Sequence, residues 1–331
     1  MARIPGSWVE RRPERFGSPT SPSLSAAHGS VAAAPQILPR APAPPIANMP
    51  GAAPPIAPAE IAEFTQIARS EGGISLSDER GEFLRLRLCR RLRETGCGSF
   101  GDYLKLLRNA PANGERRQFL EALTTHTTSF FRESRHYDFM KTHVLPELTS
   151  NGIGRQRPIQ VWSAACSTGA EIWSAAMLLE SHRMPDGRSP DWRCIASDIS
   201  ERILRRAANA VFVEEETVGI PPDLARRYLL RRRPRRPDQA CLYRIVPELR
   251  ERTRFVQANL LALDRAPGIS ADIAFLRNVL IYFEPQDRLR VARGVAARIR
   301  PGGFLFTGHA ESLGSAVAEL RQEGASIYRR I

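Results

Sequence analysis

From residue 59 to about residue 150, apolar positions recur at three- and four-residue spacing, in Ile61, Phe64, Ile67 and Ala68 and again in Phe83, Leu84, Leu88 and Leu92. This spacing predicts amphipathic helices gathered in a small all-helical domain over 59–150. Ser77, Asp78 and Glu79 offer caps for one of them, and Gly96 to Gly98 would stop it. Along that helix, at about 100° per residue, Leu84, Leu88 and Leu92 share one stripe while Arg80, Arg87 and Arg91 share the next. One face packs and its neighbour is cationic. From Arg157 onward, short apolar runs alternate with helical stretches. Strands are expected at about 158–163, 193–198, 253–257, 272–276 and 304–307, helices from near Thr168, Glu201 and Gln286, and a final edge strand at 325–330. The alternation predicts a doubly wound α/β sheet over 151–331, with its ligand site beyond the carboxyl ends of the strands.

Composition sharpens this picture at four points. Thirteen of the 26 prolines fall in residues 1–58, among Ser, Ala and Gly. That stretch buries too little apolar surface to offset its ordering entropy, so a disordered tail is expected. No run approaches the roughly 18–20 apolar residues of a membrane helix, which makes a cytoplasmic protein without membrane insertion the default. The net charge of +13, with 46 arginines and only Lys105 and Lys141, favours an anionic partner: nucleic acid, an acidic membrane face or an acidic protein. Five scattered cysteines, Cys89, Cys97, Cys166, Cys194 and Cys241, include no C-x-x-C pair. Neither a disulfide framework nor a cysteine-based zinc site is expected, and no metal site is assigned.

The chemistry should sit at the strand ends. Val161 to Glu171 runs from a strand through small residues and Gly169 into a helix, without the glycines of G-x-G-x-x-G or the G-K-[ST] of a P-loop. A ligand with a polar end other than pyrophosphate fits better. Asp198 ends the second strand, where a carboxylate can accept from both hydroxyls of a ribose or can simply cap the next helix. The strand at 272–276 then presents Arg277 and Asn278, with Tyr282 close behind.

Upstream lies the most specific segment, Leu123-Thr124-Thr125-His126-Thr127-Thr128-Ser129-Phe130-Phe131-Arg132-Glu133. With Trp162 to Glu171, Asp198, Asn259-Leu260-Leu261, Arg277 to Phe283 and Pro301 to Ser312, it resembles the CheR-type chemotaxis receptor methyltransferases over about 60–331. The resemblance implies a class I S-adenosylmethionine-dependent methyltransferase fold with a small inserted β-subdomain at about 213–250. It implies an enzyme that methylates glutamate side chains on chemoreceptor cytoplasmic helices, yielding S-adenosylhomocysteine. By motif position the cofactor would be held by His126, Thr128, Arg132, Glu171, Asp198, Asn259, Leu260, Arg277 and Asn278. Arg132 and Tyr282 would flank the transferred methyl as the catalytic pair. Arg80, Arg87 and Arg91 would face the acidic receptor bundle, and the enzyme is expected to act as a monomer.

Three departures accompany the resemblance. His126 stands where the family usually has Asn, Ala170 precedes Glu171 where it has a second Glu, and Ala310 replaces Ser. The basic run Arg231 to Pro237 contains no Gly, unlike the loop with which some members dock a receptor's C-terminal peptide, so no dependence on that tether is expected. Two other readings of the same sheet are a nucleic-acid methyltransferase and a non-catalytic cofactor-sensing module. The first lacks N-P-P-Y or D-P-P-Y after the fourth strand; the second sits poorly with Arg132 and Tyr282 both present.

Overall fold

The structure, a computed structural model, describes residues 54–74, 81–109, 114–124, 127–232, 236, 239–265 and 268–331. Apart from residues 54–58, the expected tail lies outside the described residues, as do Arg80, His126 and Arg233 to Arg235 of the basic run. Among the described residues, no helix is long and apolar enough to cross a membrane.

Among the described residues, four helices make the first lobe: α1 (Pro58–Gly72), α2 (Gly81–Thr95), α3 (Phe100–Asn109) and α4 (Glu115–Leu123). Pro58 opens α1 at a position whose N–H has no intrahelical partner anyway, and the Glu60 carboxylate accepts from the Ala57 amide at 2.8 Å. Leu84, Leu88 and Leu92 are buried together with Phe64, Phe100, Tyr103 and Phe119. Phe64 stacks on Phe119 at 5.6 Å between ring centroids.

The cationic stripe of α2 needs correction. Arg91 donates to both oxygens of Glu115, at 2.9 and 2.6 Å, and also pairs with Glu94, while Tyr103 completes the cluster by donating to Glu115 at 2.7 Å. Its side chain is only 13% exposed. The guanidinium thus clamps α2 to α4 and does not stand free for a partner. Arg87 leans over the Phe83 ring at 5.3 Å and donates to the Thr124 carbonyl at 3.4 Å. Arg90 and Arg93 are the exposed cations at this end of the helix.

Helical periodicity continues through α5 (Ser134–Phe139), a π-helical turn (Met140–Val144) and α6 (Leu145–Ser150). Their apolar face, Tyr137, Met140, Val144, Leu145 and Leu148, packs on the sheet core and not on α1–α4. The sheet is built from β1 (Ile159–Ser163), α7 (Ala170–Ser181), β2 (Trp192–Asp198) and α8 (Glu201–Asn209). An antiparallel insert follows, comprising β3 (Val211–Val213), α9 (Glu214–Thr217), α10 (Pro222–Tyr228), β4 (Leu229–Arg232) and β5 (Leu242–Ile245). Its three strands pair in the order β3-β5-β4. The chain returns through α11 (Pro247–Glu251), β6 (Thr253–Gln257), β7 (Ala271–Leu276), α12 (Pro285–Ala296), β8 (Ile299–Thr307), β9 (Leu320–Gly324) and β10 (Ile327–Arg330).

Seven strands order as β6-β2-β1-β7-β8-β10-β9. Pairing is parallel from β6 to β8 and antiparallel through β10 and β9. The winding reverses beside β1, which opens a crevice past the carboxyl ends of β1 and β7. Two expectations change here. The last strand is not the edge: β10 lies between β8 and β9, and the true edge, Leu320-Arg321-Gln322-Glu323-Gly324, is too polar to show a strand pattern. Strand β8 also starts earlier than residue 304, because Gly302 at φ 82° and a shift in register carry Pro301-Gly302-Gly303 within it.

The Arg91 clamp yields a stability test. Arg91→Ala strips Glu115 of a two-point, largely buried partner and is expected to lower unfolding stability by about 2 kcal/mol in urea titrations. Arg90→Ala, which removes only an exposed i,i+4 pair with Glu94, should change it by no more than about 0.5 kcal/mol.

Candidate active site

A cleft at the switch point, enclosing about 970 Å³ with its mouth included, lies between the helical lobe and the sheet. That size suits a small-molecule ligand. The lobes meet across it through an isolated bridge between Ile74 and Phe283, and through the Asn259 amide, which donates to the Glu71 carbonyl at 3.4 Å. Gly73 makes this closeness possible. Its φ is 64°, and a Cβ there would lie 2.2 Å from Leu261 Cδ1.

Strand β1 delivers the first polar groups. Ser167 (φ 50°) and Gly169 (φ 89°) turn the chain sharply into α7, bringing Glu171 back beneath the turn. Its Oε1 accepts from the Ser163 hydroxyl at 2.6 Å, and its Oε2 pairs with Arg277 at 3.2 Å. At the end of β2, Asp198 accepts from the Ser167 amide through Oδ2 and from the Ser200 amide through Oδ1, each at 3.0 Å. Burial pushes both carboxyls up from the usual carboxylate range. Arg277 and Ser163 pull Glu171 back, and the backbone amides do the same for Asp198.

The segment before α5 is held in an unusual shape, with Phe131 at φ 52° and Glu133 at φ 58°. The Phe131 amide donates to Ser174 Oγ at 3.0 Å, and Arg132 donates to the Thr127 carbonyl at 3.1 Å. Arg277, from the end of β7, fixes this segment to the sheet. Its side chain is 1% exposed and pairs with Glu133 at 3.1 Å as well as Glu171, donates to Tyr137 Oη at 3.3 Å, and reaches the Arg132 carbonyl. Burial opposes the charge on Glu133, but Arg277 holds that carboxyl below its ordinary range. Burial and then Arg277 drive His136, on the first turn of α5, down to about 4.

Beyond Arg277 the chain turns at Asn278 (φ 56°) into a 3₁₀ turn, Leu280–Tyr282. Glu311 organises this turn from below. Its Oε2 accepts from the amides of Asn278 and Gly308 at 2.6 and 2.9 Å, and its Oε1 from that of Ile281 at 3.3 Å.

Nine residues singled out from the sequence line this one cleft: Thr128, Arg132, Glu171, Asp198, Asn259, Leu260, Arg277, Asn278 and Tyr282. Arg87 and Arg91 stand apart from it on α2, and the position of His126 lies outside the described residues. Sequence reasoning missed Glu133, Tyr137 and Glu311. Glu133 and Glu311 sit inside the very motifs that pointed to the site, but their partners are remote in sequence. The donor set fits S-adenosylmethionine: carboxylates at the start of α7 and the end of β2 suit an ammonium and a ribose, and apolar Ile199 and Leu260 suit an adenine face.

Calorimetric titration tests the fit. Wild-type protein is expected to bind S-adenosylhomocysteine, and Asp198→Ala to weaken it by about 30-fold or more through loss of charge-assisted hydrogen bonds.

Comparison with known proteins agrees with this geometry. Residues 59–124 match the CheR methyltransferase, all-alpha domain, and residues 126–328 match the CheR methyltransferase, SAM binding domain. Chemotaxis protein methyltransferase 2 of Pseudomonas aeruginosa is 37% identical over 257 residues, covering 77% of this chain and 87% of its own. The chemotaxis protein methyltransferases of Klebsiella aerogenes and Escherichia coli are 35% and 33% identical, covering 83% and 82% of this chain and 90% of each relative. The chain therefore belongs to the CheR methyltransferase family and is a methyltransferase whose cofactor is S-adenosylmethionine.

Proposed function

We propose that this enzyme O-methylates glutamate side chains on the cytoplasmic helical bundle of a chemoreceptor, as an adaptation step in chemotaxis. The observation that carries the reading is the convergence of Arg132, from the segment joining the lobes, and Tyr282, from the sheet lobe, on one cleft with Glu171 and Asp198. Arg132 and Tyr282 are assigned as the catalytic pair. Thr128, Arg132, Glu171, Asp198, Asn259, Leu260, Arg277 and Asn278, with His126, are assigned to the cofactor.

Bound S-adenosylmethionine supplies an electrophilic methyl group on a sulfonium. A glutamate acceptor, with an ordinary pKa of about 4.3, is already ionised at pH 7, so the chain has no proton to remove. What its residues must do is position and desolvate. Arg132 spends one N–H on Thr127 and keeps others for an acceptor carboxylate, which a guanidinium can hold in a planar fork. Tyr282, half-buried at the rim, can donate a hydrogen bond without neutralising the acceptor. The uncharged ester product would pair less well with Arg132 and leave.

Outside the cleft, Arg90 and Arg93 extend the basic face of α2 beyond Arg87, with the Arg90 side chain 69% exposed. This face is assigned to the acidic receptor surface in place of Arg91.

With tritiated S-adenosylmethionine and receptor-bearing membranes, label should appear as alkali-labile methyl ester, at a rate flat between about pH 6 and 9. Tyr282→Phe and Arg132→Lys should each lower turnover by about 100-fold, with Tyr282→Phe keeping wild-type S-adenosylhomocysteine affinity. Alkali-stable label, or label on nucleic acid, would overturn the reading. In the same assay, joint Arg90→Glu and Arg93→Glu substitution should lower kcat/KM for receptor about tenfold, a loss that shrinks in high salt because it is electrostatic.

A further inference from the structure

His136 is buried to 1% exposure, and neither of its ring nitrogens has a hydrogen-bond partner. The Ala325 backbone lies beside the ring. A buried imidazole without partners is costly. Its surroundings show what would satisfy it. Nδ1 lies 3.5 Å from Glu133 Oε2, and the His309 ring sits 5.5 Å away, centroid to centroid. One ligand atom from each of Glu133, His136 and His309 can be chosen so that all lie within 4.8 Å of one another.

We infer that Glu133, His136 and His309 form a binding site for a single divalent transition metal of the zinc class. Two imidazoles and one carboxylate are the donor set of three-ligand zinc sites that leave a position open, and His309, exposed just past β8, lies on the solvent side. Nitrogen donors select against magnesium and calcium. Glu133 and His136 are three residues apart, so the first turn of α5 brings both to one side. Arg277 engages Oε2 of Glu133, leaving Oε1 to a metal, and it divides its charge between Glu133 and Glu171. Two carboxylates around one guanidinium leave room for a further cation. The absence of a C-x-x-C pattern does not bear on this donor set, whose third member is 173 positions from the second. An ion here would clamp the segment that carries Arg132 to the carboxyl end of β8, giving metal availability a hold on the position of Arg132.

The full chain, stripped with a chelator, should bind one zinc ion per molecule in calorimetric titration with zinc chloride, and none on titration with magnesium chloride. His309→Ala, an exposed position outside the methyl-transfer machinery, should weaken zinc binding at least about tenfold while S-adenosylhomocysteine affinity stays at the wild-type level. Cobalt chloride should give visible bands without a thiolate charge-transfer band. Three results would each overturn the proposal: no zinc bound, equal zinc affinity in His309→Ala, or a thiolate band that places the ion on cysteine. Failure of S-adenosylhomocysteine binding in wild type would count against the cofactor pocket and leave the zinc result standing.

Discussion

The buried guanidinium of Arg277 is the interaction on which the site depends. It stands at the end of β7, within the sheet, and holds Glu133, Glu171, Tyr137 and the Arg132 carbonyl at once. Each buried carboxylate would be expensive alone, and removal of their common partner exposes that cost, about 3–5 kcal/mol for a buried pair. The network also transmits position. Arg132 lies in a segment, 127–133, without regular secondary structure, so its direction is set by Arg277 from below and by Ser174 holding Phe131 from the side. A lysine in place of Arg277 could satisfy one carboxylate as a point charge but could not span all four partners with a planar fork.

The helical lobe closes the opposite wall through ion pairs between α4 and α8, Arg117 with Glu201 at 3.2 Å and Glu121 with Arg202 at 3.8 Å, and, nearer the cleft, through close approach of backbone. Gly73 allows Leu261 and Phe283 to come against the end of α1, where any side chain would push the lobe away. The Ile74–Phe283 bridge and the Asn259–Glu71 hydrogen bond then set the spacing. Phe283 directly follows Tyr282, so the bridge that joins the lobes also anchors the turn carrying the assigned catalytic tyrosine. Glu311 anchors the same turn from the sheet side. The tyrosine is therefore placed by two independent attachments, one from each lobe.

Much of this architecture was legible in the chain. The parallel strands fell within one or two residues of their observed starts, except β8, because buried parallel strands read as continuous apolar runs bounded by polar turns. The nine cleft residues were legible because they cluster at strand ends and in compact motifs. What the sequence could not show were partners distant along the chain. Arg91 reads as a cation on a helix face until Glu115, 24 residues on, proves to be beneath it. Glu133 and Glu311 look like polar punctuation until Arg277 and the Asn278 turn reach them. Helical periodicity up to about residue 150 did not tell that Tyr137 and Met140 would be buried in the sheet core, and the polar edge strand β9 carried no periodicity at all.

Backbone conformation shows how positioning is sustained. Six described residues other than glycine have positive φ, and four of them, Phe131, Glu133, Ser167 and Asn278, surround the cleft. Each such residue costs of order 1 kcal/mol and persists only where its surroundings over-determine it. Those surroundings are the contacts described above: Ser174 on Phe131, Arg277 on Glu133, Asp198 on the Ser167 amide, and Glu311 on the Asn278 amide. In every case the restraining group is buried or half-buried and reaches the strained residue from another element. With the proposed glutamate acceptor no proton need be removed, and such a reaction gains little from tuned acids and bases, and much from fixed geometry. Strain concentrated around one cleft, and countered by remote polar groups, is the form that such a demand takes in this chain.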